Sequence, residues 1–420
     1  MASRETLGVG ILGAGFIGNF HVDSFTGVRD ADVVAVCSRS LDSAQALAEK
    51  AEATRVGSDV VAYDDVAAMV RDPRVDAIWV LTPNFTRIEV IKAITDEVIS
   101  GRGSLKAIAI EKPLGRTIAE AREVFEMVQG AGLLHGYLEN QVYSPGLVRS
   151  REIVWSRGAE VAGTPYLARA AEEHSGPHNT WFWNGASEGG GVLNDMMCHS
   201  VEAGRFLLTP PGTRHSEWLK PVAVTATIAS LKWGRAKHAA ELKETYEGVV
   251  DYTKTPSEDY AHAVFEFING DGEPVIVEAT TSWSYVGAGL RLSFELLGPE
   301  YSMESQTLST ESKLFMSRNL EQSEGEDMIE KQNAEQGLMP LLSDESMSYG
   351  YTGENSFLAT AFLKGEQPLE GLEAGLEVIE LLMAAYQSAE EGRRITWPVA
   401  LEDFVPAVAK GEWNPRKDLA

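Results

Sequence analysis

The 420-residue chain reads as an α/β protein. It predicts a doubly wound parallel sheet over residues 1–145. An α+β domain over 146–420, with a large, open, mostly antiparallel sheet, is expected to follow. Three observations carry this reading. A glycine cluster, Gly13-Ala14-Gly15-Phe16-Ile17-Gly18, follows directly on a short apolar strand. Short apolar strands and helical segments then alternate through the first third of the chain. After about Pro145 longer strand-like segments replace that alternation.

The elements of the first domain follow in order. Leu7–Leu12 is the first strand and residues 32–37 (Asp-Val-Val-Ala-Val-Cys) the second. Residues 41–51, rich in Ala, Gln and Glu, form a helix, and Val66–Val70 is a short one ended by Asp72-Pro73. A strand over 76–81 stops at Thr82-Pro83-Asn84, and 87–100 is helical. The strand 107–110 ends in Glu111-Lys112-Pro113, Ile118–Gly130 is helical, and the strand 133–138 leads into Glu139-Asn140-Gln141-Val142-Tyr143. Alternation of this kind implies a parallel sheet. Ligands of such sheets gather at the carboxyl ends of the strands, so the glycine turn, Thr82-Pro83-Asn84 and Glu111-Lys112-Pro113 are expected to converge.

In the second domain, strands are expected over 222–231, 261–267, 274–283 and 290–297. Residues 301–355 are polar and acidic and read as a loop-rich excursion, while 357–363 and 372–390 return to helical spacing. The chain carries no internal repeat or low-complexity tract.

The glycines have distinct tasks. Gly13 permits the tight strand-to-helix turn, Gly15 lets backbone approach a pyrophosphate, and Gly18 lets the helix pack closely on the strand. The helix that follows offers N–H groups and partial positive charge to phosphates, with Phe16 and Ile17 in its first turn. This is the fingerprint of a Rossmann dinucleotide-binding domain. An NAD site usually ends its second strand in a carboxylate that takes the ribose 2′-hydroxyl. Here that place reads Cys37-Ser38-Arg39-Ser40, with no acid before Asp42. Ser38 and Arg39 can bind and neutralise a 2′-phosphate, which favours NADP. An Arg39 that stacks on adenine or faces solvent would leave NAD acceptable.

Composition excludes several other classes. The net charge of −26 disfavours nucleic acid and anionic membranes as partners. No apolar run approaches the ~18 residues a spanning helix needs. Met1-Ala2-Ser3-Arg4-Glu5-Thr6 runs straight into the first strand, so no leader and a cytoplasmic location are expected. Two distant cysteines, Cys37 and Cys198, argue against a disulfide framework or a cysteine-based zinc site.

The candidate chemistry lies at three places. Lys112 is a cation at a strand end; beside a positively charged nicotinamide it would lose proton affinity by like-charge repulsion, and could donate to a carbonyl oxygen or relay a proton. A salt bridge to an acidic surface group is the plainer reading of the same lysine. Asp195 and His199, spaced i and i+4, share one face of a helix. His199 can take a hydroxyl proton while Asp195 orients substrate and imidazole. The segment 172–183 (Glu-Glu-His-Ser-Gly-Pro-His-Asn-Thr-Trp-Phe-Trp) sets hydrogen-bonding groups beside aromatic faces, a mixture that suits sugar rings. There His178 is the expected hydroxyl contact and Trp181 or Trp183 the platform, against the alternative of a loop with buried tryptophans. A zinc site would need a third ligand from His174 or His178; no tight ligand spacing supports one, and no metal is expected.

Strand, glycine fingerprint, Thr82-Pro83-Asn84 and Glu111-Lys112-Pro113, in that order, resemble the glucose–fructose oxidoreductase/inositol dehydrogenase/MocA (Gfo/Idh/MocA) family. The run Gly189-Gly190-Gly191-Val192-Leu193-Asn194-Asp195-Met196-Met197-Cys198-His199 is similar to that family's glycine-rich stretch followed by Asp-x-x-x-His. The closing helix after Pro368-Leu369-Glu370-Gly371-Leu372 also resembles it. The resemblance implies an NAD(P)-dependent oxidoreductase of sugars or cyclitols, with Lys112, Asp195 and His199 as the catalytic set. Gly13, Gly15, Phe16, Ile17, Gly18, Ser38, Arg39, Thr82, Pro83, Asn84, Glu111, Lys112 and Asn140 are the expected cofactor contacts. It further implies a homodimer or homotetramer. Two departures limit it: no arginine accompanies the aromatic near Tyr143, and Phe85-Thr86-Arg87 stands where a histidine is common. Three functions stay open. One is a dehydrogenase or reductase of a secondary alcohol. Another is a redox-neutral eliminating, glycoside-cleaving or epimerising enzyme with tightly held cofactor. The third is a nucleotide-sensing regulator, which the presence of both Lys112 and His199 disfavours.

Overall fold

The computed structural model describes residues 6–287, 289–309, 312–316, 337–341 and 344–415. Of the excursion expected over 301–355, residues 310, 311, 317–336, 342 and 343 lie outside the described residues. The chain forms two compact units: residues up to 115 with 119–145 and 349–377, and residues 116–118 with 146–348 and 378 onward. Among the described residues no helix is long and apolar enough to cross a membrane.

The first unit is built on six parallel strands, β1 (Leu7–Leu12), β2 (Ala31–Cys37), β3 (Val61–Tyr63), β4 (Ala77–Val80), β5 (Ala107–Glu111) and β6 (Leu134–Leu138). They stand in the order β3-β2-β1-β4-β5-β6. β1, β4 and β5 are buried along their whole length, as expected of strands covered on both faces, and so read as unbroken apolar runs. The strand order turns about β1, which pairs with both β2 and β4. Register brings Leu12 level with Cys37 and Val80, Val80 with Ile110, and Glu111 with Leu138. The carboxyl ends therefore line up, and Gly13 N donates to Cys37 O (2.8 Å) and Leu81 N to Leu12 O (2.8 Å) to hold them there.

Residues 349–377 belong to this unit, although a linear division at 145/146 assigns them to the second. The helix Tyr351–Lys364 reaches two turns further toward the N-terminus than its apolar spacing predicts. Its buried Asn355 explains the placement. Asn355 Oδ1 accepts from Trp79 Nε1 (2.8 Å), and Nδ2 donates to Ser24 Oγ (2.6 Å) and His21 Nδ1 (3.1 Å). Burial pushes His21 down to about 4, so its ring is neutral and Nδ1 can accept. Trp79 meets Phe25 and Phe362 edge-on, with centroids 5.6 and 5.9 Å away.

The second unit carries a seven-stranded sheet. Its strands are β7 (Leu167–Glu173), β8 (Lys220–Ala229), β9 (Tyr260–Ile268), β10 (Pro274–Ser282), β11 (Arg291–Gly298), β12 (Tyr301–Gln306) and β15 (Ile395–Thr396), in the order β12-β11-β7-β10-β9-β8-β15. Every pair is antiparallel except β7 with β10. Burial alternates residue by residue in β7, β9 and β11, the mark of one covered and one open face. A separate hairpin pairs β13 (Ser312–Met316) with β14 (Gly337–Leu341). The described part of the excursion is thus partly strand. Edge strand β12 buries no residue fully, so it needs no apolar alternation and leaves a weak sequence signal.

The helix Val192–Leu208 packs on the covered face against β7 and β10 and is almost wholly buried. Its first turn receives no cap from its own N-cap residue, Gly191. A tertiary cap replaces it. Glu258 Oε1 accepts from Gly191 N (2.9 Å), Leu193 N (3.2 Å) and Tyr386 Oη (2.6 Å). Tyr386 Oη in turn accepts from Gly191 N (3.1 Å) and Asn194 N (3.3 Å). A carboxyl group here satisfies N–H groups that the helix cannot, and it complements the helix dipole. The glycines make room for it, since a Cβ at Gly190 would overlap the Tyr386 hydroxyl.

Two predictions follow from these anchors. Asn355→Ala leaves the Trp79 N–H and the Ser24 hydroxyl without their buried partner. It should lower stability by about 3 kcal/mol, read as the urea midpoint of the first unit; an unchanged midpoint would contradict the anchor. Burial pushes Glu258 up to about 7 despite the hydrogen bonds that favour its charge. A raised carboxyl pKa gives stability that is complete below the unfolded value near 4.5 and is lost as pH rises through about 7. Glu258→Gln removes that dependence, so its stability relative to wild type should improve between pH 5 and 8 by up to about 3 kcal/mol. A constant difference across that range would refute the assignment.

Candidate functional site

In the first unit the expected cofactor residues occupy the aligned strand ends. Gly13 has φ +118°, a conformation that favours glycine, and a Cβ at Gly18 would overlap the Gly13 carbonyl. A Cβ at Gly15 would meet nothing within 4 Å, so this backbone faces open space. Gly15 is also the N-cap of the helix Phe16–Ser24 and supplies no side-chain cap. Phe16 is exposed and Ile17 half-buried. An open, uncapped helix N-terminus behind a glycine turn fits the diphosphate of a dinucleotide. Gly13, Gly15, Phe16, Ile17 and Gly18 would hold that group.

Past β2, Ser38 N donates to Tyr63 O (3.1 Å), and Arg39 is exposed. Ser40 caps the helix Leu41–Ala53 by accepting from Ser43 N (3.3 Å), which places Asp42 inside the first helical turn. Thr82 and Pro83 are half-buried beyond β4 and Asn84 is buried. Arg87, not a candidate from sequence, is buried and ties two strand ends together: its guanidinium donates to Val80 O (3.4 Å) and Pro113 O (3.4 Å). Asn140 is buried, and its Nδ2 donates to Tyr349 O (2.7 Å), so its amide braces the turn before the helix Tyr351–Lys364.

Half-buried Lys112 lies in an acidic setting. Burial pushes Glu111 up to about 7 and Glu139 up to about 8, and the Lys112 charge pulls both partly back. Glu354 is pushed well above the usual carboxylate range by burial and by the charges of Glu111, Glu139 and Glu370. Burial thus favours the neutral form of all three carboxyls, and the Lys112 charge opposes it at Glu111 and Glu139.

In the second unit Asp195 and His199 project from the capped helix and are 3% and 4% exposed. Asp195 Oδ2 accepts from Trp283 Nε1 (3.2 Å), and the Cys198 thiol donates to Asp195 O (3.2 Å). His199 Nε2 lies 4.0 Å from Glu172 Oε2. His174 Nδ1 accepts from Gly176 N (3.0 Å), which puts the proton of the neutral ring on Nε2. Of the expected substrate contacts, His178 is exposed and Trp181 half-buried, stacked on Phe182 with centroids 3.7 Å apart. Trp183 is 3% exposed, donates from Nε1 to Pro177 O (3.1 Å), and packs against Trp233, Tyr252 and Trp283. It braces the indole that holds Asp195.

Glu172 and Trp283 were not singled out by the sequence reading. Glu172 had a signal: it continues the inward register of Ala168 and Ala170 along β7, where an apolar residue belongs. Trp283, just past β10, looks like any core aromatic. The buried carboxylate–imidazole pair can take or deliver one proton, and Lys112 can do the same at the strand ends of its own unit.

Comparison with known proteins agrees with this anatomy. Residues 7–137 match the model of an oxidoreductase family with an NAD-binding Rossmann fold, and residues 158–304 match the GFO/IDH/MocA C-terminal domain. A D-xylose dehydrogenase of Paenarthrobacter nicotinovorans is 24% identical over 225 residues, 52% of this chain and 51% of that protein. An inositol 2-dehydrogenase of Rhizobium meliloti is 29% identical over 228 residues, 54% of this chain and 59% of that protein. The chain thus spans about half the length of the curated relatives it matches. The crystal structure of GenD2 from gentamicin A biosynthesis, in complex with NAD, superposes with a TM-score of 0.72 at 26% identity, covering 94% of this chain and 97% of that one. From its paired domain matches, its sheet order and its glycine turn, the chain belongs to the GFO/IDH/MocA oxidoreductase family.

Proposed function

We propose that this protein is a nicotinamide-dependent dehydrogenase or reductase acting on a secondary alcohol, or its ketone, of a sugar, sugar derivative or cyclitol. The observation that carries the reading is the buried Asp195–His199 pair, fixed on a capped helix in a chain that also holds an open glycine turn and Lys112. The names of the D-xylose and inositol dehydrogenases support the substrate class.

The nicotinamide, when bound, accepts or supplies the hydride. His199 takes the hydroxyl proton during oxidation and returns it during reduction. Asp195, held by the Trp283 indole, orients a substrate hydroxyl. Lys112 steadies the developing charge on the reacting oxygen. Its ammonium charge draws the buried carboxyls of Glu111 and Glu139 partly back toward their ionised forms. Exposed His178 and half-buried Trp181 offer a hydroxyl contact and an aromatic platform.

NADP is the favoured cofactor. Exposed Arg39 follows β2 where an NAD site would place a carboxylate, and Asp42 is drawn into the next helix. Lys112→Ala should lower kcat by roughly a hundred-fold or more, the scale of lost acid–base assistance. Wild-type turnover in that variant would overturn the role. Arg39→Ala should weaken NADP binding by about ten-fold or more and leave NAD nearly unchanged, the loss of one charge-assisted phosphate contact. Equal losses for both, read by titration calorimetry, would remove the argument for NADP.

A further inference from the structure

The covered face of the second sheet is apolar except at one end. Its buried positions in β7, β9, β10 and β11 are alanine, valine, leucine and phenylalanine, with Gly298, Thr281 and Ser282 at strand ends. Among the described residues Glu172 is the one ionisable side chain in that set. It is 4% exposed and stands opposite the helix Val192–Leu208. A carboxylate placed there costs desolvation free energy that an alanine would not, so its presence calls for a compensating cation or a task. Its Oε2 lies 4.0 Å from Nε2 of His199.

The other ionisable groups around His199 in this unit are otherwise engaged. Asp195, one turn earlier, has Oδ2 on the Trp283 indole, and Cys198 donates to the Asp195 carbonyl. His174, just beyond β7, accepts from Gly176 N. Glu202, one turn later, pairs with Arg205 (2.7 Å) and His215 (3.2 Å). Within this unit, the Glu172 carboxylate stands 4.0 Å from the imidazole across the helix–sheet packing.

We propose that Glu172 is a positioning residue for His199, fixing the ring's orientation and favouring its protonated form. This rests on the reading of His199 as the proton acceptor. In oxidation the imidazole takes the hydroxyl proton, with the hydride acceptor to be supplied by nicotinamide when bound. The imidazolium then faces a carboxylate rather than apolar side chains, and no bond to Glu172 is made or broken. Separations at such pairs are often long before substrate binds and tighten in the complex.

The test is the titration of the His199 imidazole by NMR in the full chain, its resonance assigned with His199→Gln. The same variants are then followed by the pH profile of kcat/KM. Glu172→Gln keeps the shape and removes the charge. It should lower the imidazole midpoint, and the acid limb of the profile for alcohol oxidation, by about one to two pH units. Glu172→Asp keeps the charge and withdraws it by one methylene; its midpoint should fall between the other two. Midpoints unchanged in both variants, even with reduced rates, would make Glu172 merely structural and overturn the proposal. Should Glu172→Gln fail to fold, an unshifted Glu172→Asp midpoint would overturn it equally. The NMR midpoint needs no turnover. A chain inactive on every sugar would therefore sink the dehydrogenase reading, while the pairing of Glu172 with His199 would stand or fall on its own titration.

Discussion

The cap on the helix Val192–Leu208 is the constraint on which the second unit's chemistry depends. Asp195 and His199 project from a helix whose first-turn N–H groups lack partners within the helix. Burial denies those groups water. Glu258 and Tyr386 supply the acceptors from elsewhere in the chain, and they approach closely because Gly191 and Gly190 have no side chains. The same cap explains why a carboxyl can remain buried with a pKa near 7: burial raises it and the N–H donors restrain it. The helix that carries the candidate residues is thus held by one network of a carboxyl, a phenol and three backbone amides.

The two sheets use different solutions to the same burial problem. Covering both faces of the first leaves its strand ends as the natural place for polar groups, and parallel register sets those ends level. The glycine turn, Asn84 and Glu111–Lys112 meet there because the backbone hydrogen bonds of β1, β4 and β5 stop together. Arg87 then ties the end of β4 to the turn after β5. Covering one face of the second sheet gives an apolar floor for a single helix, and polar residues on that floor become conspicuous. Glu172 is legible as functional for this reason.

Much of this was written in local pattern. The glycine spacing, the apolar runs of β1, β2, β4 and β5, and Thr82-Pro83-Asn84 and Glu111-Lys112-Pro113 at strand ends are short-range signals, and they placed the first sheet and the edge where its strand ends align. Asp195 and His199 were readable from helical spacing after a glycine run. The partners that hold their helix and the first unit's core together were not. Glu258 and Tyr386 reach the helix from 67 and 195 residues beyond Gly191, and Asn355 contacts His21 across 334. Nothing local marks such a glutamate, tyrosine or asparagine as an anchor. Trp183 shows the converse: a tryptophan beside polar groups suggests a sugar platform, yet its ring faces other aromatics in the core. Strand β7 escaped notice because Leu-Ala-Arg-Ala-Ala-Glu-Glu has the composition of a helix; pairing with β10 and β11 overrides that preference.

The most direct measurement is the absorbance of reduced nicotinamide, followed with NADP and NAD separately across a panel of free sugars, glycosides and inositols. The account predicts turnover that requires both a cofactor and a secondary alcohol of this class, faster with NADP, and abolished in His199→Gln. Folded protein that binds nicotinamide yet changes its absorbance with no member of the panel would contradict hydride exchange with sugars or cyclitols. It would favour a redox-neutral reaction on a retained cofactor or a sensing role.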